Sequence, residues 1–79
     1  GTKTFKFTSL LTMGAKGTEV SELQKLLKKL GYFKYPSITG LFGSVTKQAV
    51  VAFQKANKLA PYPGWTGPAT RDALNKVSG

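Results

Sequence analysis

One short pattern, Gly-x-x-Gly-x-x-Val/Thr, occurs three times in this chain and limits what it can fold into. The copies are Gly14-Ala15-Lys16-Gly17-Thr18-Glu19-Val20, Gly40-Leu41-Phe42-Gly43-Ser44-Val45-Thr46 and Gly64-Trp65-Thr66-Gly67-Pro68-Ala69-Thr70. An amphipathic run follows each. Leu23, Ala49 and Ala73 stand six residues after the second glycine, and Leu27, Phe53 and Val77 stand ten after it. The first glycines stand 26 and then 24 residues apart, a period that marks one supersecondary unit used repeatedly. The glycines therefore mark turns, and the runs between them are the elements.

The spacing predicts three helices. The first runs from about Thr18 to Leu30, with Val20, Leu23, Leu26, Leu27 and Leu30 on one stripe. Thr18 reads as its N-cap, Glu19 and Glu22 suit the first turn, Lys28 and Lys29 suit the last, and Gly31 suits the position after it. The second spans about Val45 to Ala56, with Ala49, Val50, Phe53 and Ala56 on its stripe and Asn57 able to close it in the left-handed region. The third begins with Pro68, where a missing N–H costs nothing, and continues through Ala69, Ala73, Leu74 and Val77. Helices this short depend on packing. The expected fold is all-α: a small three-helix bundle with an internal pseudo-repeat. Its core is Val20, Leu23, Leu27, Leu30, Ala49, Val50, Phe53, Ala73, Leu74 and Val77. Thr4 to Thr8 alternates polar and apolar, so residues 1–9 read as an arm or linker with a short strand possible, and residues 10–79 as the domain.

Seventy-nine residues make one domain. The absence of cysteine excludes disulfides and thiolate metal sites. No apolar stretch approaches the roughly 20 residues that span a bilayer, and residues 1–11 lack the apolar core of a signal peptide. The chain reads as a mature fragment or an excised domain. Twelve Lys and Arg against Glu19, Glu22 and Asp72 give a net charge of +9, which favours an anionic partner if it does more than keep the chain soluble. With no His and no Cys, a serine nucleophile would lack its usual base. Glu19 and Glu22 sit where helix-start acids sit, which argues against a carboxylate pair for glycoside cleavage. Three acids without His do not suggest a metal site, and nothing calls for a cofactor.

Taken in order, Gly17-x-x-Val20-x-x-Leu23-Gln24-x-x-Leu27, Leu30-Gly31-Tyr32, Gly40-x-Phe42-Gly43-x-x-Thr46-x-x-Ala49-Val50-x-x-Phe53-Gln54-x-x-Asn57 and Gly67-Pro68-x-Thr70-x-x-x-Leu74 resemble the type 1 peptidoglycan-binding domain. The resemblance covers about Leu10 to Asn75. It implies a three-helix module that tethers an attached cell-wall enzyme to peptidoglycan without being catalytic. A related module forms the pro-segment of matrix metalloproteinases, so the fold does not guarantee the ligand. The chain departs from the family at Thr39 and Pro63, where an Asp is common, so any ligand contact made through those acids is in doubt.

Six of the nine aromatic residues, Tyr32, Phe33, Tyr35, Phe42, Tyr62 and Trp65, fall between the expected helices. Phe33 and Phe42 read as core. Trp65, Tyr62, Tyr35 and Tyr32 are the candidate ligand-stacking residues, and Arg71 is the candidate partner of a ligand carboxylate or phosphate. Gln24 and Gln54 read as amides that satisfy loop backbone groups, Thr46 and Thr70 as residues that serve the turn before their own helix. Three functions compete: a peptidoglycan-binding module, a protein-interaction or pro-segment module, and a basic nucleic-acid-binding domain. No expected helix joins a basic stripe to base-reading side chains, which argues against the last. The first implies glycan or stem peptide as partner, with anionic wall polymers a further candidate. It also implies a monomer within a larger cell-wall enzyme, outside the cell or in the periplasm.

Overall fold

Each helix starts directly after the second glycine of a turn copy. The computed structural model describes residues 6–60 and 63–78, and its helices are α1 (Thr18–Lys29), α2 (Ser44–Ala56) and α3 (Pro68–Ser78). The two glycines of the pattern have separate tasks. The first takes positive φ in every copy, 91° at Gly14, 74° at Gly40 and 82° at Gly64, a region that side chains with a Cβ avoid. The carbonyl of the second accepts the first helical bond: from Ser21 N to Gly17 (3.1 Å), Lys47 N to Gly43 (3.0 Å) and Arg71 N to Gly67 (2.8 Å). Gly17 is thus the N-cap of α1, and Thr18 is its first helical residue rather than the expected cap. Likewise Ser44 begins α2, one residue before the expected start. At the other end of α2, Lys58 rather than Asn57 takes the left-handed conformation, with φ 58° against −102°. The Asn57 side chain instead donates to the Phe53 carbonyl at 2.9 Å and holds the last turn closed.

The expected stripes meet. Val20, Leu23, Leu27, Ala49, Val50, Phe53 and Leu74 are buried, joined by Phe33 and Phe42 from the first inter-helix loop. Ala73 packs against this core and is half-buried. Leu30 and Val77 are exposed, contrary to expectation, being 37% and 46% accessible. Both lie at the ends of their stripes: Leu30 follows the last residue of α1, and Val77 is the last but one of α3.

Phe7 and Leu11 join the core from outside the helices. No strand forms among the described residues of the arm, and Gly1 to Phe5 lie outside them. The backbone of the arm is held by side chains. Phe7 N donates to Asn75 Oδ1 (2.7 Å), and Asn75 Nδ2 donates to the Phe7 carbonyl (3.1 Å). Thr8 N and Ser9 N both donate to Glu19 Oε2 at 2.9 Å. Thus Glu19 ties the arm to the first turn of α1.

Candidate functional site

Two buried glutamines fix the second and third turns, and they do it with the same set of bonds. Gln24 Oε1 accepts from Gly40 N (2.9 Å), while its Nε2 donates to the Leu41 carbonyl and to Thr46 Oγ1, both at 3.0 Å. Gln54 Oε1 accepts from Gly64 N (3.1 Å), while its Nε2 donates to the Trp65 carbonyl (3.0 Å) and Thr70 Oγ1 (3.1 Å). Each amide belongs to one helix, its turn follows that helix, and its threonine opens the next. Thr46 and Thr70 therefore do serve the turn before their own helix, and the preceding glutamine is the partner. Gln24 also accepts from Thr39 N, so Thr39 is part of the clamp.

The residue after the first glycine is left on the outside of both turns. Leu41 and Trp65 occupy equivalent positions and are 48% and 41% exposed. The next residues, Phe42 and Thr66, are buried. In both turns the amide holds the Leu41 and Trp65 carbonyls, while their side chains stay largely in solvent. The turns also lie close together. Turn one bonds to turn two through Gly14 N to the Phe42 carbonyl (2.9 Å), Phe42 N to the Ala15 carbonyl (2.8 Å) and Gly17 N to the Gly40 carbonyl (3.0 Å). Turn three bonds to the segment just before turn one: Thr66 N donates to the Leu11 carbonyl (2.9 Å) and Leu11 N to Thr66 Oγ1 (2.8 Å). Only Thr12 and Met13 separate Leu11 from Gly14, so these two anchor points lie at most about 11 Å apart along the chain. Leu10 and Met13, both exposed, lie on the connecting segment.

The five candidate ligand residues do not share one place. Trp65 and Arg71 belong to turn three, and Arg71 Nη1 donates to the Thr66 carbonyl at 2.7 Å, which tethers its guanidinium beside that turn. Tyr35 is exposed and lines a 220 Å³ hollow at turn two with Phe33, Leu41 and Val45. Tyr32 is half-buried, and its ring meets Phe53 edge-on at 5.9 Å, so it packs on the core. Tyr62 lies outside the described residues. Leu41 was not among the candidates; the signal for it was its equivalence to Trp65. On the far side of Leu41 a larger groove of about 570 Å³ runs beside α1.

The acids are occupied. Glu19 holds the arm, Glu22 pairs with Lys25 (3.3 Å) and Asp72 with Lys76 (3.6 Å), the latter two pairs at the surface. Among the described residues no group of three metal-ligating side chains occurs, and no helix is long and apolar enough to cross a membrane.

Sequence and structure comparisons agree with this architecture. The family model for a peptidoglycan binding domain matches residues 16–74. Among solved structures, the N-terminal domain of SleB is 31% identical over 95% of this chain and 100% of that one, with a TM-score of 0.84. A peptidoglycan-binding protein from Clostridioides difficile, in complex with glutamine hydroxamate, is 41% identical (TM-score 0.79), and an endolysin of Burkholderia phage AP3 is 35% identical (TM-score 0.77). They align over 90% and 87% of this chain, which spans 43% and 26% of theirs. No curated protein sequence matches.

Proposed function

The chain belongs to the peptidoglycan-binding domain family, and from that membership we propose that it binds peptidoglycan without cutting it and tethers an attached cell-wall enzyme to its substrate. Its place of action is the cell wall, outside the cell or in the periplasm. The binding unit is residues 10–79, with residues 1–9 as an arm whose Phe7 is buried in the core. The observation that carries the reading is the pair of clamped turns, which hold Leu41 and Trp65 outward on rigid backbone. Rigid presentation lowers the ordering cost of binding. An exposed indole offers a flat apolar face for sugar rings and peptide methyls, and Arg71 beside it offers a charge-assisted bond to a carboxylate. Trp65, Arg71 and Tyr35 are the proposed ligand residues on the described chain, with Tyr62 beside Trp65 in sequence.

The inventory supports binding without turnover. The chain has no His or Cys, and each acid has a partner of its own. The test is sedimentation with purified peptidoglycan. The wild-type protein is expected in the pellet, with no release of reducing ends, free amines or soluble fragments; release of any of them by clean protein ends the non-catalytic reading. Folded Trp65→Ala should sediment about tenfold more weakly, the usual scale for losing an aromatic contact. Equal sedimentation would remove Trp65 from the site.

A further inference from the structure

The groove beside α1 is open because of two small residues. Its walls carry Lys16, Thr18, Ser21, Lys25, Thr39 and Leu41, and its volume is about 570 Å³. None of the ligand residues proposed above lines it. Turn two approaches α1 at Gly40, where a Cβ would stand 2.9 Å from Ser21 Oγ and 3.7 Å from the Gly17 carbonyl. Turn three approaches α2 at Gly64, under the same glutamine clamp, but there a Cβ would stand 2.7 Å from Lys47 Cγ, 3.1 Å from Lys47 Cε and 3.2 Å from Val51 Cγ2. Ser21 and Val51 each precede their clamp glutamine by three residues, and Gly17 and Lys47 precede these by four. The pseudo-repeat therefore builds the same cleft twice. Lys47 and Val51 fill the second, whereas Gly17 and Ser21 leave the first empty.

We propose that this groove is a second recognition subsite and that it takes a carboxylate-bearing peptide segment, as in the stem peptide of peptidoglycan. The proposal rests on the wall-binding reading and extends it. The groove's charge decides between peptide and polyanion. Lys16 and Lys25 stand against Glu22, so the site has a surplus of one positive charge although the whole chain carries +9. A dense phosphate polymer would find more positive charge elsewhere on the surface. A single carboxylate can pair with Lys16 or Lys25. The Thr39 hydroxyl is held inside turn two by Gln24 and Leu41, but the hydroxyls of Thr18 and Ser21 suit peptide N–H and C=O groups, and exposed Leu41 offers apolar surface to a side chain.

The test fills the open cleft with a long side chain from α1. Ser21→Lys places a long chain over Gly40 and raises the net charge by one, so bulk electrostatics and groove binding predict opposite changes. The probes are purified peptidoglycan freed of anionic polymers, the same material stripped of peptides by an amidase, and walls that retain their polymers. On the peptide-bearing material folded Ser21→Lys should bind about tenfold more weakly than wild type, the loss of roughly one charge-assisted contact. On amidase-stripped glycan the two proteins should bind alike. Equal or tighter binding to the peptide-bearing material overturns the proposal. A loss seen only on polymer-bearing walls assigns the groove to a polyanion and overturns it too. Ser21→Gln fills the groove without adding charge and carries the same readings where Ser21→Lys fails to fold. Failure of the wild-type protein to bind any of the three materials would instead strike the wall-binding reading itself.

Discussion

Gln24 and Gln54 show how much one buried side chain can fix. Each is 1% exposed, and each amide satisfies groups on a turn and on the next helix together. Leucine in either place would keep the volume but strand a turn N–H and C=O in the interior. Leaving buried groups unpaired costs far more than a net hydrogen bond contributes. Gln24→Leu and Gln54→Leu should therefore each lose about 2–4 kcal/mol of stability in urea unfolding. A loss below about 0.5 kcal/mol, the range of neutral surface changes, would mean that the turns hold themselves. Gln54→Leu should also weaken sedimentation with peptidoglycan, because the Trp65 carbonyl would lose its partner. The Leu-Gln and Phe-Gln pairs were legible in the sequence as structural amides. Their exact targets were not, because the targets lie ten to twenty-two residues further along the chain.

The arm is the element that the sequence described least well. Alternation from Thr4 to Thr8 suggested a strand, but the hydrogen bonds of Phe7, Thr8 and Ser9 go to the side chains of Asn75 and Glu19. A carboxylate and an amide do here what a neighbouring strand would do in a sheet. Phe7, 3% exposed, then fills a place in the core that the helical stripes leave open. Phe7→Ala should cost about 3–5 kcal/mol, as for other buried aromatics, whereas Val77→Ala, at an exposed helix end, should stay within about 0.5 kcal/mol. Thermal or urea unfolding measures both. If Phe7→Ala were as mild as Val77→Ala, the arm would be a linker and not part of the folded unit. The helices themselves were legible to within a residue or so, since glycine pairs punctuate them and the 3.6-residue stripe is strong.

Across the whole molecule, a charge of +9 raises the question of whether wall binding is recognition or bulk attraction. Salt separates the two, because the screening length falls from about 10 Å at 0.1 M to about 3 Å at 1 M. Sedimentation of the wild-type protein with peptidoglycan should weaken only a few-fold on raising the salt from about 0.1 to 0.5 M, since the proposed stacking on Trp65 is apolar. Binding that collapses by orders of magnitude over that range is the behaviour of a polyanion ligand. A parallel DNA titration that outcompetes the wall material would then favour the nucleic-acid reading.

The sequence by itself determined the number of helices, their starts and most of the core, because these follow from local rules: glycine conformations, capping and stripe periodicity. It also carried the family, through motifs in a fixed order along the chain. Tertiary structure alone decided where the turns are anchored. Leu41 and Trp65 are 24 residues apart, and bonds from turn one to turn two and from Leu11 to Thr66 fasten both of their turns to the segment that precedes α1. It alone decided that Leu30 and Val77 stay outside, since a stripe gives a direction but not how far along it the packing extends. It decided as well that one of two like clefts is open. That difference rests on which side chain crosses above a glycine from the preceding helix, a fact of packing that no stretch of sequence states alone.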